Sequence, residues 1–218
     1  MQILRMYCIM KYMKSLSLTK PLVLVVIGLP GAGKSFFSTQ FADTFHAPLL
    51  RSDYWHHLLF KDQTVTKASL QTVKTVLFAQ LAEILKTQKT CVVDGLGATK
   101  LEREKVRTLA QKADYDILYI WVQTDKATAK YRSMTRSKRR KGDVFNPSLS
   151  SEEYDNFEKR FTLPANSENY LVVSGKHTYA TQARIVLKKL VQPREQNTSQ
   201  SSRGSDHHIP ARNTIVIR

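Results

Sequence analysis

Cysteine is scarce: Cys8 and Cys91 are the two in a chain of 218 residues. Two distant thiols build neither a disulfide framework nor a metal cluster, and they suit a reducing, cytoplasmic setting. Cys91 lies in the apolar run Cys91-Val92-Val93 and reads as a small core residue. Long hydrophobic runs are missing as well. No stretch approaches the ~18 consecutive apolar residues of a membrane span, so no membrane partner is expected. Lys20 followed by Pro21 to Ile27 superficially imitates a signal peptide, but that apolar run is short and feeds directly into glycines. Met1, Met6, Met10 and Met13 precede it, and translation is expected to begin at Met13. Acidic residues are also few, 18 against 34 lysines and arginines, for a net charge of +16. A field this positive favours anionic partners such as nucleotides, nucleic acid or an acidic membrane surface, or serves only to keep the chain soluble or to bind polyanions loosely.

What is present has the rhythm of an α/β domain. The length suffices for one such domain with a sizeable core, and 42% hydrophobic with 24% charged residues is ordinary for a globular chain. Apolar, β-branched runs at Pro21 to Ile27, Ala47 to Arg51, Thr90 to Asp94, Asp116 to Val122 and Tyr170 to Ser174 predict five strands. Between them, helical periodicity predicts helices over Lys34 to Phe45, burying Phe37, Phe41 and Phe45, and over Ala68 to Gln88, with Leu70, Val73, Leu77, Leu81 and Ile84 on one stripe. Thr99 with Glu102, and Ser150 with Glu153, have the spacing of capping boxes opening two further helices, and Asp125 is placed to cap another. A last helix is expected over Ala180 to Val191. Alternating strands and helices imply a three-layer fold, a five-stranded parallel sheet covered on both faces. The expected organisation is a lead-in over 1–20, a domain over 21–191 with a basic lid at about 136–149, and a disordered basic tail over 192–218. Thr214 to Ile217 in that tail have the composition of an edge strand, though a solvated tail is favoured.

The segment Gly28-Leu29-Pro30-Gly31-Ala32-Gly33-Lys34-Ser35 carries the spacing G-x4-G-K-[ST] between a buried strand and a helix. Glycines let successive backbone N–H groups turn inward around a phosphate, and the following helix adds its positive end. Lys34 supplies charge to the β- and γ-phosphates, the Ser35 hydroxyl reaches Mg²⁺, and Phe36 follows as the next helical residue beside the nucleotide. ATP with Mg²⁺ is therefore the expected ligand.

Other nucleotide-binding classes demand residues that are lacking. There is no Asn-Lys-x-Asp run to read guanine and no Leu-Ser-Gly-Gly signature of transporter ATPases. Asp94, at the end of the third strand, is followed by Gly95 rather than the glutamate that activates water in motor ATPases. Asp94 suits a hold on the Mg²⁺ water shell, or forms a turn with Gly95. Asp53 closes the second strand on the phosphate side of the sheet, where a carboxylate can orient an acceptor hydroxyl; alternatively it caps the next helix. Between Lys126 and Lys141 there are eight basic residues and no acidic one. If helical, Arg132 and Arg136 share a face and can address one triphosphate; the bland alternative is a solvated basic helix.

On these residues, together with Ser52-Asp53, Val93-Asp94-Gly95 and the stretch Tyr154 to Pro164 (Phe157, Phe161 and Pro164 within it), the sequence resembles the AAA-type kinases of the P-loop kinase superfamily from about Leu22 to Val191. That group is similar to gluconate kinases, zeta-toxin-like kinases and polynucleotide 5′-kinase domains. The resemblance implies ATP-Mg binding by Lys34 and Ser35, a catalytic or acceptor-orienting role for Asp53, and lid arginines at Arg132 and Arg136. Members often carry an arginine three residues after the aspartate, where it meets an acceptor phosphate; here that position is His56, within Tyr54-Trp55-His56-His57. This aromatic cluster either stacks on a ring substrate or, with the leucines that follow, packs into the core. The acceptor expected is a hydroxyl of a small molecule or nucleoside, with a polynucleotide end or a regulatory nucleotide-binding role as alternatives.

Overall fold

The computed structural model describes residues 20–61, 66–136, 145 and 148–191. Most of the expected lid, the lead-in and the C-terminal tail with Thr214 to Ile217 lie outside them. Five strands appear: β1 (Leu22–Ile27), β2 (Leu49–Arg51), β3 (Cys91–Asp94), β4 (Asp116–Gln123) and β5 (Tyr170–Ser174). They form one parallel sheet in the order β2-β3-β1-β4-β5. All six residues of β1 are buried, which is why its sequence is continuously apolar rather than alternating. Val23, Val25 and Ile27 face one layer and Leu22, Leu24 and Val26 the other.

Seven helices flank the sheet among the described residues: α1 (Lys34–Phe45), α2 (Ser52–Phe60), α3 (Lys67–Leu85), α4 (Lys100–Lys112), α5 (Lys126–Met134), α6 (Ser151–Arg160) and α7 (Tyr179–Val191). α1 and α7 cover one face through Phe37, Phe41 and Val186, while α3 and α4 cover the other through Val73, Leu77, Leu81, Val106 and Ala110. The apolar stripe of α3 is rotated from the expected one: Val73, Leu77 and Leu81 are buried with Leu85, while Leu70 and Ile84 are half-buried. Because the connection leaving β1 crosses one face and that leaving β3 the opposite face, a crevice opens at the carboxyl ends of these neighbours. That crevice positions the site.

Several local expectations are modified. Ser150 and Glu153 form the full capping box of α6. At α4, Thr99 caps as expected, but the Glu102 carboxylate reaches past it to the amides of Gly97 and Ala98 and pairs with Lys74. Arg103, fully buried, is a strut that sequence periodicity did not reveal. Its guanidinium forks onto Glu168 (2.7 and 3.1 Å) and donates to the carbonyls of Gly97, Thr162 and Leu163. Burial works against the Glu168 charge, yet these bonds hold its carboxyl below the usual range. The strut fixes the segment leaving α6 against the sheet.

Candidate nucleotide and acceptor site

The loop after β1 turns through three glycines with positive φ, Gly28, Gly31 and Gly33. Gly31 must lack a side chain for a second reason: a Cβ there would stand 2.0 Å from the Ala129 carbonyl of α5. α1 begins at Lys34 with Gly33 as its cap, so no side chain satisfies its first amides, and its first turn holds no acidic residue. Exposed, positively polarised N–H groups at this point form an anion receptor. The Lys34 ammonium donates to the Leu29 carbonyl (3.0 Å) and lies 5.8 Å from the ring centre of Phe157 on α6. Phe36 is largely exposed beside it.

Asp94 is buried at the end of β3, directly across the crevice, where Ser38 of α1 donates to it at 3.1 Å and Ser35 also hydrogen-bonds to it. Gly95 then lets α2 start close by: a Cβ on it would overlap the Ser52 hydroxyl. Burial pushes the Asp94 carboxyl up, with Lys34 opposing that shift. Burial likewise brings the Lys34 ammonium down to about 8, with Arg136 adding to the effect and Asp94 and Asp53 opposing it. The charges of Asp53, Asp94 and Arg136 thus all act on Lys34 across this crevice. The oxygen donors at its edge, the Ser35 hydroxyl and the Asp94 carboxylate, are hard ligands. Among the described residues no group of three or more His, Cys, Asp or Glu side chains is arranged to hold a metal ion. Such a donor set fits a magnesium ion that keeps its waters and takes phosphate oxygens, not a metal needing an all-protein cage.

Asp53 sits in the first turn of α2, and its carboxylate is engaged by Arg51: Nε donates to Oδ1 at 3.0 Å and Nη2 to Oδ2. The Tyr54 amide also donates to Oδ1, at 2.8 Å. Arg51 was not singled out from sequence, although it ends β2 at the same sheet edge that drew attention to Asp53. His56 does not take the place of an acceptor-binding arginine. It is buried, its Nε2 3.1 Å from the Ser69 hydroxyl, and burial lowers its pKa. Trp55 packs into the core and donates to Gln80 at 2.7 Å. Leu58 and Leu59, in contrast to a packing role, are 53% and 45% exposed. Arg132 and Arg136 do not share a helical face, because α5 ends at Met134. Thr135 leaves the helix with its hydroxyl bonded to the Tyr131 carbonyl. Arg136, beyond the helix end, acts on the charge of Lys34, whereas Arg132 reaches the Gly175 carbonyl after β5 at 3.4 Å.

The model of the AAA domain matches residues 23–164. The chain belongs to this family of P-loop kinases. Among its relatives is a protein of Acanthamoeba polyphaga mimivirus, assigned as a bifunctional polynucleotide phosphatase/kinase, 28% identical over 149 residues. That match takes in 68% of this chain but 31% of the relative's length, so the chain corresponds to about a third of it. Among solved structures, Chaetomium thermophilum Kti12 in complex with ADP-AlF3 superposes with a TM-score of 0.62 at 16% identity, covering 77% of this chain and 96% of that one. The Mycobacterium tuberculosis APS kinase, in complex with AMPPNP and APS, gives 0.57 at 17% identity, covering 78% and 98%. At these identities the structures establish the P-loop kinase fold. Among the described residues of this family member, no helix is long and apolar enough to cross a membrane.

Proposed function

We propose that the chain transfers the γ-phosphate of ATP to a hydroxyl group of an acceptor. One observation carries this reading: a carboxylate, Asp53, opens α2 beside the crevice that holds Lys34 and Asp94, and the Arg51 fork fixes it there. The amides of Gly28 to Ser35 would cradle the phosphates, flanked by Phe36, with Lys34 and Arg136 neutralising the charge that builds on the transferred group. Ser35 would hold magnesium directly and Asp94 through water; when bound, the ion adds charge neutralisation between the phosphates. Arg132, at the Gly175 carbonyl, would border the nucleoside end. Asp53, oriented by Arg51, would hold the acceptor hydroxyl in line. The hydroxyl oxygen forms a bond to the γ-phosphorus while the bond to the β-bridging oxygen breaks. ADP takes that electron pair, and the hydroxyl proton passes to Asp53 and then to solvent.

A second reading, transfer to the 5′-hydroxyl of a polynucleotide, is supported by the viral relative's assignment and by the net charge of +16. Incubating the protein with γ-labelled ATP and a panel of sugars, polyols, nucleosides and 5′-hydroxyl oligonucleotides tests both. Label in one acceptor class, lost in Asp53→Asn, is the expected result. ATP turnover with no labelled acceptor would overturn the kinase reading, and label confined to small molecules would remove the second.

A further inference from the structure

The four aromatic residues after Asp53 separate in the fold. Trp55 and His56 turn inward, while Tyr54 stays 43% exposed and His57 is half-buried. Tyr54, His57 and Leu58 follow at helical spacing, so α2 presents one apolar, ring-bearing face outward. Phe145, from the segment beyond the basic run, lies against that face. Its ring centre is 5.5 Å from Tyr54, nearly perpendicular, and 5.1 Å from His57. On another side the Arg51 guanidinium lies 5.8 Å from the same ring, while holding Asp53 through its fork. Rings from two distant segments therefore meet beside the carboxylate, and the first of them is rooted on the very next residue.

A folding core explains none of this exposure, because Tyr54 and Leu58 belong to neither buried cluster. Stacking explains it. A wall of rings with one face open offers area to a planar ligand with little loss of side-chain entropy, and every nucleobase has such a face. Arg51 ties the carboxylate to the rings, since it forks Asp53 and lies against the Phe145 ring that meets Tyr54, so the base on a sugar whose hydroxyl addresses Asp53 has these rings as its neighbours. The open positive charge of the chain suits a partner with phosphates beyond that base.

We propose that Tyr54, with His57 and Phe145, forms the acceptor subsite for a nucleobase whose sugar hydroxyl faces Asp53. This rests on the phosphotransfer reading above and assigns its substrate class. Two sources share the chemistry, a free nucleoside and the terminal nucleotide of a strand.

The test titrates intrinsic fluorescence with adenosine and, separately, with a short 5′-hydroxyl oligonucleotide, in the presence of AMPPNP. Trp55, whose ring centre is 5.8 Å from that of Tyr54, reports on stacking. Tyr54→Ala is expected to weaken base binding about 5- to 100-fold, as loss of one stacking ring does. Tyr54→Phe, which keeps the ring, should stay within about twofold of the parent, and AMPPNP affinity should be unchanged in both. Tighter binding of the oligonucleotide than of adenosine, with steep salt dependence, assigns the strand end; equal binding assigns the nucleoside. Unchanged base affinity in Tyr54→Ala overturns the subsite. Efficient transfer to a ring-free polyol, indifferent to Tyr54→Ala, overturns it while leaving the kinase reading intact. Base binding that depends on Tyr54 without any transfer supports the subsite and defeats the kinase reading instead.

Discussion

The two sides of the crevice are built by different means. On the nucleotide side, eight consecutive residues and one helix end supply nearly everything, and the backbone does most of the binding. On the proposed acceptor side, side chains from the end of β2, the start of α2 and residue 145 must be brought together. A receptor made of amides depends on local conformation alone and tolerates change elsewhere. One made of side chains depends on each helix starting where it does. On the proposed reading, the first would serve nucleoside triphosphates in general and the second would set the choice of acceptor.

Substitutions separate the two sides, and the largest effect is expected on the nucleotide side. Lys34→Ala should lower kcat/KM for ATP about 10³-fold, measured as phosphate transfer in steady state, because it removes both ground-state and transition-state charge. A mild effect would show that the loop amides suffice without the cation. Next comes Asp53→Asn, with an expected loss of about 10²-fold or more in kcat while ATP affinity, read by calorimetry, stays within about twofold. An equal fall in ATP affinity would place Asp53 on the nucleotide side and erase the distinction.

The scaffold beneath both sides has its own test. Arg103→Ala leaves the buried Glu168 carboxylate and three carbonyls without their partner. It should cost about 3–5 kcal/mol in urea unfolding, the usual loss for breaking a buried pair. Arg136→Ala and Arg132→Ala then divide the two arginines that the family resemblance assigns to a lid. Arg136 should affect kcat, by about 10²-fold, and Arg132 chiefly the KM for ATP, by about tenfold or less.

The smallest effect is a pH dependence. Free Lys34 titrates near 8, mainly because of burial. Phosphates beside it raise the bound-state value, so binding takes up a proton in the interval between the two. ATP affinity should be flat below pH 8 and fall above it, by at most about tenfold per unit. Calorimetry at pH 8.5 in two buffers of different ionisation heat reads the proton directly. Arg136→Ala, by removing a repelling charge, should move this limb to higher pH.

Much of this was legible in the chain. The five strands, the phosphate loop and the helix caps at Thr99, Asp125 and Ser150 follow from local pattern, because period, turn chemistry and capping act over a few residues. Arg132 and Arg136 illustrate the limit. Their spacing implied a common helical face, but Thr135 ends α5 between them and sends them to different targets. Nothing in the local sequence marks Arg103 on α4 as buried, and only its neighbours across the fold make it a strut. The run Tyr54 to His57 read as a single aromatic cluster, and the start of α2 at Ser52 splits it into two faces.

By itself, then, the sequence determined the five strands, most of the helices between them and the phosphate-loop pattern, all products of short-range rules. The tertiary structure decided that Arg51 holds Asp53, that His56 is occupied by Ser69, and that Phe145 comes to rest on Tyr54. The first depends on where β2 ends and α2 begins, and the other two are contacts between segments fixed by how they pack, which no local pattern of residues encodes.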